Sequence, residues 1–460
     1  MSQPKKIFGT DGVRGTANIE PVTAETALKL GRAAGHVFKN IAPQSRGRGR
    51  HKIVLGKDTR LSGYMIESAL SSGILSMGVD VLFIGPLPTP GVAYVTRSLR
   101  ADAGIVITAS HNPYDDNGIK FFRPDGYKLD DNIEGQVEEL VFSGDIENIR
   151  PTASEIGKAV RIDDALGRYI EYAKSSFPRG MTLEGMRVVL DCAHGAAYKA
   201  TPCVLRELGA EIFVYGNQPD GMNINKDCGS MHPEQMCQMV WEHRAHIGIA
   251  HDGDADRVLL CDESAKLIDG DDVMAICGLE MLQQGTLADK TLVATVMSNA
   301  GLDAVIQAAG GRVIRTAVGD KNVIDEMLRG GYNFGGEQSG HLIFRDHSTT
   351  GDGLVSALQI LRIMKSTNRP ISALMKCWTR FPQRVVNIRV REKKPFDQLD
   401  GVLKLVSEAE AELQPSGGRV LLRYSGTEPK ARLLVEGPQE VLVERWSQRI
   451  GEAIRNQLGA

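Results

Sequence analysis

The sequence predicts an α/β protein with three similar mixed-sheet units in a row and a smaller α+β unit at the C-terminus. Apolar runs typical of buried strands alternate with segments whose apolar residues recur at helical spacing, and this alternation returns in three successive stretches. The last part of the chain departs from the pattern, with two strands around a charged helical stretch. At about 100–200 residues per domain, 460 residues fit three or four domains.

The elements can be placed in order along the chain. Thr23 is the expected N-cap of a first helix, and Ala27, Leu30, Ala34 and Val37 share one face of it. Further strands are expected at 53–55, 79–84, 103–107, 188–190, 212–214, 247–249, 292–294 and 313–314, with helices between them, and C-terminal strands at 385–388 and 420–422. We therefore expect domain limits at 1–156, 157–256, 257–372 and 373–460.

Composition excludes several classes of protein. The net charge of −3 argues against a general nucleic-acid binder, and seven scattered cysteines without a C-x-x-C pair are typical of reduced cytoplasmic proteins. No apolar run reaches 18 residues and the first residues lack a signal-peptide pattern, so we expect a soluble cytoplasmic protein with no membrane partner. The basic stretch at 46–52 is interpreted as a solvated loop, with RNA contact as the alternative.

A serine loop follows the strand at 103–107 and has the sequence Thr-Ala-Ser-His-Asn-Pro. Pro113 has no N–H and biases Asn112 away from helix, so the chain leaves the strand in a fixed loop. Because open α/β sheets bind ligands at strand ends, Ser110 is a candidate nucleophile or covalent phosphate carrier. The alternative is a serine that hydrogen-bonds its own turn.

A second loop carries carboxylates at alternate positions, Asp252, Asp254 and Asp256. Three such groups can converge on one divalent cation, because Mg²⁺ and Ca²⁺ prefer oxygen ligands. The spacing also fits an EF-hand with Glu263 at its twelfth position, but Arg257 stands where that turn requires glycine, and the flanks are typical of strands. A divalent-cation site is therefore favoured over an EF-hand or a solvated acidic turn.

Two further loops are rich in glycine and polar groups. In Gly-Gly-Glu-Gln-Ser-Gly-His at 335–341, Glu337 and Ser339 could bind sugar hydroxyls from an extended backbone, and His341 could donate to a phosphate or move a proton. Arg-Tyr-Ser-Gly-Thr-Glu-Pro at 423–429, with Arg432 beyond it, suits a phosphate dianion. Each could instead be a plain surface turn.

Two cations lie outside these four loops. Arg14 belongs to the glycine-rich segment at 8–15, and Lys120 ends a stretch whose spacing suggests a turn back toward Ser110. An exposed lysine is the alternative reading of Lys120.

Taken together, the loops resemble those of the α-D-phosphohexomutase superfamily over essentially the whole chain. The four signatures Thr-Ala-Ser-His-Asn-Pro, Asp-Gly-Asp-x-Asp-Arg, Gly-Glu-x-Ser-Gly-His and Arg-x-Ser-Gly-Thr-Glu-Pro occur in this order. Within the superfamily, the 8–15 segment, Gln338 and the 423–429 loop are most similar to the bacterial phosphoglucosamine mutases. The resemblance implies three similar α/β domains and a smaller α+β domain around a central cleft.

The resemblance also implies roles for single residues. Ser110 would be the phosphoserine, and one Mg²⁺ would be held by an oxygen of that phosphoserine together with Asp252, Asp254 and Asp256. Arg14, Lys120 and His341 would lie near the reacting hydroxyl as candidate acid or base. Glu337 and Ser339 would contact sugar hydroxyls, and the non-reacting phosphate would be bound by Arg423, Ser425, Gly426, Thr427 and Arg432.

The implied activity interconverts glucosamine 6-phosphate and glucosamine 1-phosphate through a 1,6-bisphosphate, which feeds amino-sugar nucleotide and cell-wall precursor synthesis. A phosphoglucomutase or phosphomannomutase with the same machinery is the nearest alternative. A metal-dependent phosphatase and a non-catalytic sugar-phosphate sensor are alternatives from other classes. The implied partner is a small phosphosugar. A homodimer is possible, and the sequence leaves the oligomeric state open.

Overall fold

The structure is a computed structural model that describes residues 7–9, 11–41, 50–424 and 429–459. Within these residues the strands form four sheets, of seven, five, four and three strands, in order along the chain. The first three sheets are mixed and packed with helices, and the fourth is a small antiparallel sheet with two helices. The predicted fold class is therefore confirmed.

The first sheet has the strand order β1-β2-β6-β5-β3-β4-β7. Thr23 caps its first helix as predicted, because its Oγ1 accepts the backbone N–H of Thr26 at 3.2 Å. The strands are β1 (Phe8–Gly9), β2 (Gly12–Thr16), β3 (Lys52–Lys57), β4 (Asp80–Pro86), β5 (Ala103–Ile107), β6 (Asp116–Phe122) and β7 (Ala159–Arg161). The helices are α1 (Ala24–Ile41), α2 (Gly63–Ser76), α3 (Thr89–Ser98) and α4 (Asp131–Ser143).

The second and third sheets have the orders β12-β11-β10-β8-β9 and β14-β13-β15-β16. The second unit comprises α5 (Ala165–Ser175), β8 (Arg187–Asp191), α6 (Ala197–Glu207), β9 (Glu211–Tyr215), α7 (Glu234–Glu242), β10 (Ile247–His251), β11 (Val258–Asp262) and β12 (Leu267–Ile268). The third comprises α8 (Gly270–Gln284), β13 (Thr291–Thr295), α9 (Gly301–Ala308), β14 (Arg312–Thr316), α10 (Asp320–Gly330), β15 (Phe334–Gly336), β16 (Leu342–Phe344), α11 (Gly353–Thr367) and α12 (Ile371–Leu374).

The fourth unit has the strand order β17-β19-β18, antiparallel throughout. It comprises β17 (Gln383–Arg389), α13 (Asp400–Leu413), β18 (Arg419–Tyr424), β19 (Lys430–Glu436) and α14 (Glu440–Leu458). Its core, around Val402, Trp446 and Ile450, is separate from the continuous core that the first three units share.

Two sheets extend past the limits expected from the sequence. β7 pairs with β4, so residues 159–161 belong to the first sheet. β11 and β12 pair back onto β10, so residues 258–268 belong to the second. Neither extension could be assigned from the sequence pattern alone. β7 is exposed throughout, and the partner with which a short strand pairs depends on the tertiary structure.

Three of the candidate loops occupy an equivalent position in the first three units. The serine loop joins β5 to β6, the acidic loop joins β10 to β11, and the 337–341 loop joins β15 to β16, and each of these pairs is antiparallel. In each unit the first strand of the pair also runs parallel to another strand of its sheet. The three similar units therefore present their loops in the same structural context.

Part of the basic stretch, residues 46–49, lies outside the described residues. Arg50 is described, and its Nη1 donates to the Ile156 carbonyl at 2.8 Å. None of the helices in the described ranges has the length and apolar character needed to cross a membrane.

Candidate active site

Ser110 lies directly beyond the end of β5, and its hydroxyl is aimed at the acidic loop. The residue is 2 % exposed and has a left-handed φ of 50°. Its Oγ donates to Asp252 Oδ2 at 2.6 Å. His111 Nδ1 lies 3.3 Å from the Ser110 Oγ. Burial, followed by the charges of Arg257 and Arg14, lowers the pKa of His111 to about 4, so this ring is neutral at pH 7. The serine hydroxyl therefore bonds a residue of a different loop, and not only groups of its own turn.

The three aspartates of the acidic loop converge. Asp252, Asp254 and Asp256 are buried and each offers a carboxylate oxygen within 4.8 Å of the others. Among the described atoms, Oδ1 of Asp254 and Oδ1 of Asp256 have no hydrogen-bond partner. Buried carboxylate oxygens left without partners are costly unless a cation joins them, so this set fits a divalent metal ion. The strands on both sides exclude the EF-hand alternative.

The protonation of the triplet follows from burial and crowding. Burial, together with repulsion from Asp256 and Asp254, raises the pKa of Asp252 well above its ordinary value. Burial would also raise the pKa of Asp256, but the charges of Lys120 and His341 hold it well below that value. A bound cation would relieve the repulsion that remains at Asp252.

Lys120 lies inside the site and not on the surface. Its Nζ is 3.0 Å from Asp11 Oδ2, 3.0 Å from Asp254 Oδ2 and 3.4 Å from Asp256 Oδ2. Burial alone would lower the pKa of the ammonium group, but these three carboxylates raise it well above its ordinary value. The turn back toward Ser110 that the sequence suggested is the antiparallel pairing of β5 with β6.

His341 is a buried ring between two carboxylates. Its Nδ1 is 3.6 Å from Asp256 Oδ2 and its Nε2 is 3.5 Å from Asp320 Oδ2. Nε2 also accepts the Gly351 N–H at 3.1 Å, a contact that favours the neutral ring. Burial favours the neutral ring as well, yet the carboxylates of Asp256 and Asp320 raise the pKa of His341 above its ordinary value. The ring thus lies between two carboxylates that favour its protonated form, beside the candidate metal site.

The loop at 337–341 packs directly on the second unit. The Gly340 carbonyl accepts the Val258 N–H at 3.1 Å, and a Cβ at Gly340 would lie 2.1 Å from the Val258 carbonyl oxygen. Glu337 is buried, and its Oε1 accepts the Gly319 N–H at 2.9 Å, whereas Ser339 is exposed. The backbone is a turn closed by Gly340 N–H on the Glu337 carbonyl, so the expectation of an extended segment is wrong.

The loop at 423–429, in the fourth unit, is described only in part. Ser425, Gly426 and Thr427 lie outside the described residues. Arg423 and Arg432 face each other across β18 and β19, and both line a pocket of about 260 Å³. Burial and then the charge of Arg432 lower the pKa of Arg423. Two guanidiniums that repel one another are suited to an anionic ligand.

Arg14 belongs to a group of charged residues that continues through Asp11 and Lys128 to Asp320. Its Nη2 donates to Asp11 Oδ2 at 3.4 Å, and its side chain is partly exposed. Asp11 also accepts from Lys128, which in turn contacts Asp320 of the third unit. Asp11, Lys128 and Asp320 were not among the predicted site residues, because nothing in their local sequence shows that the first and third units place them side by side.

Three further polar residues of the site were missed. Thr89 Oγ1, at the start of α3, donates to Asp254 Oδ2 at 2.7 Å. Arg60 and Asn225 both donate to the Ser110 carbonyl, at 3.0 and 2.9 Å. For Arg60 a signal was available, since the polar residues 58–60 follow a buried strand as the serine loop does.

Comparison with known proteins covers nearly the whole chain. Phosphoglucomutase/phosphomannomutase alpha/beta/alpha domains I, II and III match residues 5–147, 167–266 and 269–381, and the C-terminal domain of the same family matches 385–453. Phosphoglucosamine mutase of Citrifermentans bemidjiense is 57 % identical over 455 residues, covering 99 % of both chains. That of Syntrophotalea carbinolica is 56 % identical, covering 99 % of this chain and 98 % of the other.

Solved structures agree on the fold. A phosphoglucomutase/phosphomannomutase family protein from Burkholderia thailandensis has a TM-score of 0.79 at 24 % identity, covering 99 % of each chain. N-acetylphosphoglucosamine mutase of Aspergillus fumigatus, solved with GlcNAc-6P and magnesium, has a TM-score of 0.65 at 17 % identity, covering 98 % of this chain and 96 % of the other. With all four domain types matched in order, the chain belongs to the phosphoglucomutase/phosphomannomutase family, that is, to the α-D-phosphohexomutases.

Proposed function

We propose that this phosphohexomutase interconverts glucosamine 6-phosphate and glucosamine 1-phosphate through a phosphorylated Ser110 and a 1,6-bisphosphate. The observation that carries the proposal is the buried hydrogen bond from Ser110 Oγ to Asp252, which joins a candidate nucleophile to a candidate metal site. The choice of an amino sugar is supported by full-length relatives at 55–57 % identity that are phosphoglucosamine mutases.

The reaction consists of two phosphoryl transfers. In the first, the sugar hydroxyl attacks the phosphorus on Ser110, an oxygen–phosphorus bond forms at the sugar, and the bond to Oγ breaks. The proton of that hydroxyl passes to a neighbouring base, for which His341 in its neutral form is the candidate, while Lys120, whose raised pKa keeps it cationic, and Arg14 stabilise the charge of the transferring phosphoryl group. The bisphosphorylated sugar then rotates in the site to the opposite orientation, and its other phosphate is transferred to Ser110 by the reverse chemistry.

The charges around Ser110 suit this chemistry. Phosphoryl transfer depends on positioning and on relief of oxygen charge, more than on covalent participation by the protein. Asp252, Asp254 and Asp256 would hold one Mg²⁺, which when bound supplies a Lewis acid for the oxygens of the phosphoserine. Lys120 holds two of these carboxylates in place from the side of the first domain.

Substrate contacts are proposed on two other loops. Glu337 and Ser339 would bind sugar hydroxyls at the third domain. Arg423 and Arg432, with Ser425, Gly426 and Thr427, would bind the phosphate that does not react. A phosphate site that is separate from Ser110 lets the sugar bind in either of its two orientations, as the double transfer requires.

The sugar preference is tested by comparing kcat/KM for glucosamine, glucose and mannose 6-phosphates with the same protein. We expect the amino sugar to have the highest value, and a preference for glucose or mannose would overturn this assignment. Intact mass before and after phosphatase treatment tests the phosphoserine in the same preparation. Phosphate release faster than isomerisation would support a phosphatase instead, and binding without turnover would support a sensor.

A further inference from the structure

The carbonyl side of the serine loop is held by a fully buried arginine that the proposed reaction does not use. Arg60 Nη2 donates to the Ser110 carbonyl at 3.0 Å and to the Asn112 carbonyl at 2.8 Å. Its Nη1 donates to the carbonyls of Asp116, at 3.0 Å, and of Pro113. Asp58 Oδ2 accepts from Arg60 Nε at 2.8 Å and supplies the opposite charge. The guanidinium therefore bonds four backbone carbonyls between Ser110 and the first residue of β6.

An asparagine from the second domain reaches the same two carbonyls. Asn225 Nδ2 donates to the carbonyls of Ser110 and Asn112, at 2.9 Å in each case. Both partners are acceptors, so the amide nitrogen and not the amide oxygen must face them. Asn225 is buried and has a left-handed φ of 58°, a conformation that asparagine tolerates better than most residues.

The second domain also constrains this loop through its glycine. A Cβ at Gly253, inside the acidic loop, would lie 2.6 Å from the Ser110 carbonyl oxygen and 2.8 Å from Asn225 Nδ2. The acidic loop therefore rests against the carbonyl side of Ser110 while Asp252 bonds the hydroxyl.

These contacts matter because Ser110 has a left-handed φ of 50°. A left-handed backbone is strained for an L-residue other than glycine, so it persists only where its surroundings hold it. Fixing the carbonyls of Ser110 and Asn112 fixes the peptide planes on the C-terminal side of the serine. This in turn limits the direction in which the Ser110 hydroxyl can point.

We propose that Arg60 and Asn225 are positioning residues of the phosphoryl transfer, which act through Ser110 by clamping the carbonyl side of its loop. Asn225 does so across the domain boundary, so the orientation of the reacting hydroxyl depends on the docking of the second domain. This inference rests on the proposed function, because it assigns the clamp to a step in which Ser110 gives and receives phosphate.

Two Asn225 variants separate positioning from stability. Asn225→Gly accepts the left-handed backbone and removes the amide, and Asn225→Asp keeps the shape but replaces the donor with an oxygen that repels both carbonyls. Asn368→Gly is the matched control, because Asn368 also has a left-handed φ, of 50°, and is exposed at the end of α11. Arg60→Lys keeps the charge but loses the planar fork.

We expect both Asn225 variants to lower kcat by about ten- to a hundredfold, since a displacement of about 1 Å can cost that much, with KM within about twofold of wild type. Phosphorylation of Ser110 by glucose 1,6-bisphosphate, followed by intact mass, should slow in parallel, and amide exchange should quicken at 108–116. Asn368→Gly should have the kcat of wild type. Arg60→Lys should have a lowered kcat although it keeps the positive charge.

Wild-type kcat in Asn225→Gly, with or without a lower Tm, would overturn the inference, because a merely structural contact changes stability and not turnover. If wild-type protein itself forms no phosphoserine, the proposed function fails first and the inference with it. If wild type forms the phosphoserine and turns over, and both Asn225 variants have the same kcat as wild type, the inference is overturned and the proposed function stands.

Discussion

The hydroxyl of Ser110 donates a 2.6 Å hydrogen bond to Asp252 Oδ2, and the two residues are 142 positions apart in the chain. Both are buried, and they come from equivalent loops of two different sheets. A phosphoryl group on Ser110 would therefore place its oxygens beside the carboxylates that are suited to a divalent cation. This pair is the geometric basis of the proposed mechanism.

Replacing Ser110 by alanine should abolish turnover and leave sugar-phosphate binding intact. Activity should fall by about a thousandfold or more, because a covalent carrier has no substitute in its loop. Steady-state kinetics, intact mass after incubation with the bisphosphate, and calorimetric binding of glucosamine 6-phosphate are the measurements. Ser72→Ala, an exposed serine on α2, is the control. Unchanged turnover in Ser110→Ala would remove the mechanism.

Removing one carboxylate of the acidic loop should greatly reduce stabilisation of the protein by Mg²⁺. A ligand at about 100 times its Kd raises the unfolding free energy by about 2.7 kcal/mol, so Mg²⁺ should raise the Tm of the chelator-treated wild type. Asp254→Asn should lose most of this shift, and Asp163→Asn, an exposed aspartate, should keep it. The check is a thermal melt with and without Mg²⁺. Equal shifts in Asp254→Asn and wild type would contradict the metal assignment.

Replacing Arg423 by methionine should weaken phosphate binding more than turnover. Hydrogen bonds to charged groups contribute about 1.5–3 kcal/mol, which predicts a KM for the sugar phosphate raised about ten- to a hundredfold. Inorganic phosphate should raise the Tm of wild type but not of Arg423→Met. Arg384→Met is the control, because it is an exposed arginine on β17 of the same sheet. An unchanged KM would exclude Arg423 from the phosphate site.

Stability should depend on pH through Asp271, which lies outside the acidic loop at 252–256. Burial, and then the charge of Asp269, raise the pKa of Asp271 to about 7 from an ordinary value of 3.8. Between pH 4 and 7 the native carboxyl keeps a proton that the unfolded chain has lost. The native state thus binds more protons, and the unfolding free energy falls as pH rises, by at most about 1.4 kcal/mol per unit from this group.

Asp271→Asn removes that contribution and can keep the acceptor for the Asn299 N–H, which lies 2.9 Å from Asp271 Oδ2. Relative to wild type, the variant should therefore gain stability as pH rises from 4 to 7. Urea unfolding of both proteins at each pH gives the difference, with Asp163→Asn as the control for other titrating groups. A difference that stays constant over this range would show that Asp271 titrates normally.

Local patterns in the sequence were sufficient for many of the helices and strands and for selecting the loops that meet at the candidate site. The apolar run at 103–107 is β5, the Thr23 cap begins α1, and the aspartates at alternate positions converge, because each depends on neighbours in sequence. Periodicity, capping and turn chemistry act over a few residues, so one sequence exposes them. The resemblance to a family extended this to the whole set of loops.

Only the tertiary structure decided which distant groups meet. Lys120 is buried against Asp254 and Asp256, Lys128 contacts Asp320, and Asn225 bonds the Ser110 carbonyl, in each case across a boundary between sheets. The extended backbone expected at 337–341 became a turn because its carbonyls and N–H groups pair within the loop and with β11. Such contacts join residues more than a hundred positions apart or depend on how one unit docks on another. Periodicity and local propensity carry no information about either, so the sequence determined the parts of the site, and the packing of the domains determined their arrangement.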